Sequence, residues 1–119
     1  MAFRFLKFKV YQDAKKLHNK VVLITNKYPR EFFYLKDQIR RSTLSIILQI
    51  AEGSAKRSDR DFNRYVEISL GSANETAAAL DVSFENKLIS EAEYGELFSL
   101  TEEITNQLGG LSKKLLVGG

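Results

Sequence analysis

Apolar positions recur in steps of three and four through most of this chain, the spacing of one face of an α-helix. Val10, Ala14, Leu17, Val21, Ile24 and Tyr28 alternate steps of four and three, the seam of a helix packed nearly parallel or antiparallel to its neighbours. Pro29 closes that helix, because the residue before a proline is driven out of the α region. A second helix begins within Phe32–Lys36 and carries Leu35, Ile39, Ile46 and Ile50, with Leu44 and Ile47 widening the stripe. Gly53 stands where a left-handed C′ residue would end it.

Ser58 with Asp61 three residues later resembles a capping box. The third helix it opens runs through Phe62, Tyr65, Ser69, Ala73, Thr76, Leu80 and Phe84 toward Asn86. Ser90-Glu91-Ala92-Glu93 is a fuller box, followed by Leu97, Leu100, Ile104, Leu108, Leu111 and Leu115 on one face of a fourth helix. Four amphipathic helices with short loops predict an all-α, antiparallel up-down-up-down four-helix bundle.

Two segments stand out from this pattern. The strip Phe3, Phe5, Leu6, Phe8, Val10 is too apolar to stay wet, so it is expected to fold back on the bundle or onto a partner chain. The alternation of Phe3 and Phe5 around Arg4 predicts an extended segment. Gly71 sits in the middle of the third helix, ahead of Ala77-Ala78-Ala79. Glycine there costs about 1 kcal/mol relative to alanine, which predicts close approach of another backbone, from within the bundle or from a neighbouring subunit.

A length of 119 residues matches one domain, spanning 1–119 with an N-terminal extension at 1–9 and a C-terminal tail at 116–119. No apolar run approaches the roughly 20 residues that cross a bilayer. Charges interrupt the N-terminus too often for a secretory segment. The expectation is a cytoplasmic protein without membrane contact. With no cysteine, disulfides, thiol catalysis and thiolate metal sites are excluded. The one histidine, His18, reads as a packing residue. Ala51–Lys56 lacks the spacing of a phosphate loop, and no Glu-x-x-His pair offers a di-metal site. No cofactor or metal is expected, and the chain reads as a binding protein, not an enzyme.

Charge supplies the functional signal. Residues 1–60 carry 14 Lys/Arg and 5 Asp/Glu, whereas residues 61–119 carry 4 and 10. Packing of the halves is expected to give a basic and an acidic side, able to attract phosphate backbones or to dock copies of the chain. Arg40, Arg41, Lys56, Arg57, Arg60 and Arg64 crowd the turn between the second and third helices and are the candidate nucleic-acid-binding residues. A structural role competes for some of them: Arg40 or Arg41 could pair with Asp37 or Glu52. Asp59 and Asp61 dilute the rest.

Asp37-Gln38-Ile39-Arg40-Arg41, Ser45-Ile46 and Ile50-Ala51-Glu52-Gly53-Ser54 together resemble the signature of bacterial four-helix-bundle proteins encoded in intervening sequences of large-subunit ribosomal RNA genes. Phe62, Arg64-Tyr65, Ile68, Gly71-Ser72, Glu75, Leu88-Ile89-Ser90 and Glu93-Tyr94 extend the likeness, as does Leu6-Lys7 through Val10-Tyr11-Gln12. Related to that family are the accessory variability determinant proteins of diversity-generating retroelements. The resemblance implies a ring-like homo-oligomer, a homopentamer, with basic surfaces that in the retroelement relatives bind nucleic acid and reverse transcriptase. Ile47 stands near where relatives often carry a kinking proline. Two readings follow. One is a nucleic-acid-binding homo-oligomer, with RNA ahead of DNA. The other is a protein-interaction scaffold whose charged faces dock subunits or a partner protein.

Overall fold

Helix α1 covers Lys9–Thr25, α2 Phe33–Ser54, α3 Asp59–Glu85 and α4 Glu91–Gly118, in a computed structural model that describes residues 3–118. Short 3-10 turns occupy Arg4–Lys7 and Arg30–Phe32, and there is no strand among the described residues. Each helix packs along its neighbours in sequence, α4 closes back on α1, and the backbones of the diagonal pairs stay farther apart. The result is the expected antiparallel up-down-up-down bundle, 45 × 22 × 20 Å. No described helix is long and apolar enough to cross a membrane.

The caps explain the helix starts. Ser58 Oγ accepts from the Asp61 backbone N–H at 3.1 Å. At α4 the box is reciprocal: the Glu93 N–H donates to Ser90 Oγ at 3.0 Å, and the Ser90 N–H donates to Glu93 Oε1 at 2.9 Å. The core is Val10, Ala14, Leu17 and Val21 from α1, Ile39, Ile46 and Ile50 from α2, Val66 and Leu80 from α3, and Leu97, Ile104 and Leu108 from α4.

The α2–α3 seam is built from small and hydroxylic residues. Ser42 and Thr76 share a hydrogen bond at 2.7 Å, Ser45 and Ser72 one at 2.8 Å, and Ser69 donates to the Ile46 carbonyl at 3.0 Å. Gly53 completes it. A Cβ there would lie 2.7 Å from Tyr65 Cβ and 2.9 Å from Phe62 Cδ1. The glycine is thus needed for contact, not conformation: α2 runs on to Ser54 and no described glycine has positive φ.

Other expectations change as well. Helix α1 stops at Thr25, and Tyr28 is buried in the connection ahead of Pro29. Leu44, Tyr65 and Phe84 leave the core faces: Leu44 and Phe84 are exposed and Tyr65 is half-buried, while their α3 neighbours Val66 and Ser83 are buried. The N-terminal segment is a 3-10 turn, not extended; it folds back on the bundle through Phe8, whose ring stacks on Phe62 at 6.4 Å, but Phe3 and Leu6 stay exposed. The last residues are helical through Gly118. Within the chain Gly71 has nothing within 4 Å of where a Cβ would stand, so its presence is not explained by packing inside the bundle. Met1, Ala2 and Gly119, parts of the expected extension and tail, lie outside the described residues.

Candidate functional site

The six candidate cations do not form one cluster. Arg40 and Arg41 lie in the first half of α2, whereas Lys56, Arg57, Arg60 and Arg64 surround the α2–α3 turn. At 1.5 Å per residue, about 20 Å of helix separates the two groups.

Arg40 is structural. Its Nε donates to Thr25 Oγ1 at 2.9 Å, and its Nη2 donates to the Val22 carbonyl and to Asn26 Oδ1, both at 2.9 Å. Helix α1 has no basic residue in its last turn. Arg40 brings a cation from the neighbouring helix to the negative, C-terminal end of the α1 dipole. Beside it, Thr43 donates to the Arg40 carbonyl and meets His18 Nδ1 at 2.7 Å. Burial, and secondarily the charge of Arg40, push the His18 imidazole below its ordinary pKa. Arg41 is exposed and has no ion pair among the described residues.

The turn presents a cationic pole. Glu52 pairs loosely with Lys56, at 3.9 Å, and not with Arg40 or Arg41. The Lys56 ammonium also stands 5.0 Å from the centre of the Tyr65 ring. Arg64 approaches Asp61 at 3.6 Å. Arg57 and Arg60 are exposed without an ion pair among the described residues.

Four cations outside the expected set join this pole. Arg4 Nε donates to the Ser54 carbonyl at 3.0 Å, and its guanidinium lies 5.4 Å from the Phe62 ring centre. This closes the C-terminal end of α2 as Arg40 closes that of α1. Lys7 is exposed in the same 3-10 turn. The register of α3 and α4 brings the other two. Tyr94 Oη donates to Asp81 Oδ1 at 3.1 Å near the far end of both helices. Arg64 lies seventeen residues before Asp81, and Lys113 nineteen after Tyr94. Both are therefore about 25–30 Å from that contact, at one level along the bundle, with Lys114 beside them.

Taken together, residues 3–8, 52–64 and 111–118 hold eight cations and three carboxylates, an excess of five positive charges against +3 for the whole chain. The charge asymmetry therefore has a component along the long axis as well as the expected one across the bundle, where α1 and α2 carry seven cations and three carboxylates and α3 and α4 carry four and eleven. Sideways, three ion pairs join the two sides. Lys9 reaches Glu103 at 3.0 Å, Lys20 reaches Glu96 at 3.2 Å and Lys27 reaches Glu93 at 2.6 Å, a ladder joining basic α1 to acidic α4. The expected basic and acidic sides face each other across that groove. Among the described residues, no group of His, Asp and Glu gathers in a way that could hold a metal ion.

An antiparallel four-helix bundle with a cationic turn pole is the class of protein these features define. The model of the 23S rRNA-intervening sequence proteins matches residues 6–110, and the chain belongs to that family. Among solved structures it is similar to a protein of unknown function from the S23 ribosomal protein family of Bacteroides thetaiotaomicron. The two share 25% identity over 87% of this chain and 98% of that one, with a TM-score of 0.82. No curated protein matches the chain.

Proposed function

We propose that this protein is a non-enzymatic, nucleic-acid-binding homo-oligomer that holds RNA by its phosphate backbone at the α2–α3 turn pole. The observation that carries this reading is the surplus of five positive charges on residues 3–8, 52–64 and 111–118. Arg57, Arg60, Lys113 and Lys114 are exposed, and cations free of carboxylates are what phosphate contacts require. Arg40 is left out of this reading, since its guanidinium already donates to Thr25, Val22 and Asn26 at the end of α1. Assembly is supported by the outer face of α2 and α3, which exposes Leu44, Leu48 and Ile68 alongside Gly71. A pentamer is the stoichiometry carried over from the family.

The test is a titration of structured RNA at 50 and 200 mM salt. Six phosphate contacts predict that affinity falls about a thousandfold between these conditions. Replacing Arg57, Arg60, Lys113 and Lys114 by serine should abolish binding and leave the fold intact. Absence of binding at 50 mM salt, to structured RNA and to single strands alike, ends this reading.

A scaffold function is the second reading, favoured by the same apolar outer face. In that case replacing Lys56, Arg57 and Arg60 by serine changes the particle mass in light scattering with no nucleic acid present. An unchanged mass removes the cationic pole from any subunit contact.

A further inference from the structure

The geometry points to single-stranded RNA or DNA as the polyanion this pole takes, with Phe3 stacking on an unpaired base while Arg4 and Lys7 meet the adjoining phosphates. The inference rests on the nucleic-acid reading and narrows it. In sequence, FRFLKFK interleaves aromatic and cationic residues far from the α2–α3 turn. Folding brings them together: Arg4 is tied to the Ser54 carbonyl, and Phe8 lies against Phe62.

Phe3 is 62% exposed in the midst of these cations. It is also braced. Its ring meets Phe5 edge-on at 6.1 Å, and Phe5 meets Tyr11 edge-on at 4.9 Å, with Tyr11 packed against the core. An edge-on contact leaves ring surface open for stacking, and little ordering remains to be done when a base arrives. Duplexes hide the faces of their bases, whereas single strands offer them, and stacking on an aromatic side chain is tolerant of sequence.

Exposed Phe3, Leu6, Leu116 and Val117 could instead suggest insertion into an anionic lipid surface. That would need the two chain ends to form one apolar face. The 3-10 turn that carries Leu6 packs on α1 and α2 but not on α4, so Leu6 does not adjoin Leu116 and Val117.

The chain contains no tryptophan, so Phe3→Trp places a single, selectively excitable indole at the site. Its emission should be quenched by a 20-nucleotide oligouridine and unchanged by an RNA duplex of equal length. Phe3→Ala should weaken oligouridine binding about fivefold or more while altering duplex binding less than twofold. Because the side chain is exposed, both variants should keep the wild-type circular dichroism. Unquenched emission at saturating oligouridine overturns the inference, as does an equal loss, or no loss, for both RNAs. Tighter binding to phosphatidylglycerol vesicles than to oligouridine at the same salt overturns it too. If wild-type protein binds neither RNA, the proposed function itself fails. If it binds both and Phe3→Ala changes nothing, only the stacking fails.

Discussion

The Arg40 guanidinium donates to the Val22 carbonyl at 2.9 Å, so a side chain of the second helix seals the end of the first. Two further bonds, to Thr25 and Asn26, fix its orientation. The planar fork reaches these acceptors from two nitrogens at once, whereas an ammonium offers its donors from a single point. Arg40→Ala should therefore destabilise the fold by about 2 kcal/mol, and Arg40→Lys should recover little of it. Thermal unfolding checks this, with a midpoint lowered by roughly 8 °C or more. RNA affinity measured well below that midpoint should not change.

Gly53 and Gly71 should respond in opposite ways to alanine. A Cβ at Gly53 would press on Tyr65 Cβ at 2.7 Å, an atom fixed to the α3 backbone. The overpacking should outweigh the propensity gain and cost about 1–3 kcal/mol. Gly71 is exposed with no neighbour within reach, so Gly71→Ala should stabilise the subunit by up to about 1 kcal/mol. Urea unfolding of the two variants separates contact from its absence.

His18 gives the stability a pH dependence above the carboxylate range. Burial holds its imidazole below the ordinary value of 6.5, with the Arg40 charge acting in the same direction. The fold favours the neutral ring, so its contribution is complete above pH 6.5. It is lost as acidification protonates the unfolded chain first. Asp13 and Glu93 are held below their ordinary values of 3.8 and 4.5, chiefly by hydrogen bonds from Lys9 and Lys27. Their contributions are present above those values and vanish as pH falls through the lowered ones. His18→Gln should flatten unfolding free energy against pH near and below 6.5 and leave the later acid limb in place.

The rungs of the α1–α4 ladder should differ in weight. Glu96 makes only an exposed pair with Lys20, and Glu96→Ala should cost about 0.5 kcal/mol or less. Glu93 also accepts from the Ser90 N–H and caps α4, so Glu93→Ala should cost about 1 kcal/mol or more. Chemical denaturation at low and high salt checks both, and only the ion-pair part should shrink with salt.

The helices were legible because their faces repeat. The α1 stripe from Val10 to Val21 is buried as its spacing implies, and both Ser-initiated caps form. Less legible was anything that depends on which helix lies beside which. Gly53 fits a helix stop as well as a contact point, and only the nearness of Tyr65 decides between them. Arg40 sits in a cationic string, yet its partners lie 15 and 18 positions away on another helix. Lys113 and Lys114 join the turn only once the antiparallel register of α3 and α4 is known. Counting residues from the α3–α4 turn in both directions would have found them. Arg4 had a local signal, the alternation of aromatic and basic residues, but nothing in it named Ser54.

Helix α4 begins with Glu91 and Glu93 and carries Lys113 and Lys114 near its other end. Those charges oppose the helix's own macrodipole, which would otherwise leave a partial negative charge at the lysine end. The molecule is consequently a charged rod with a preferred heading. In the field of a polyanion it experiences torque before contact and swings its lysine tip forward, so encounter and alignment become a single event.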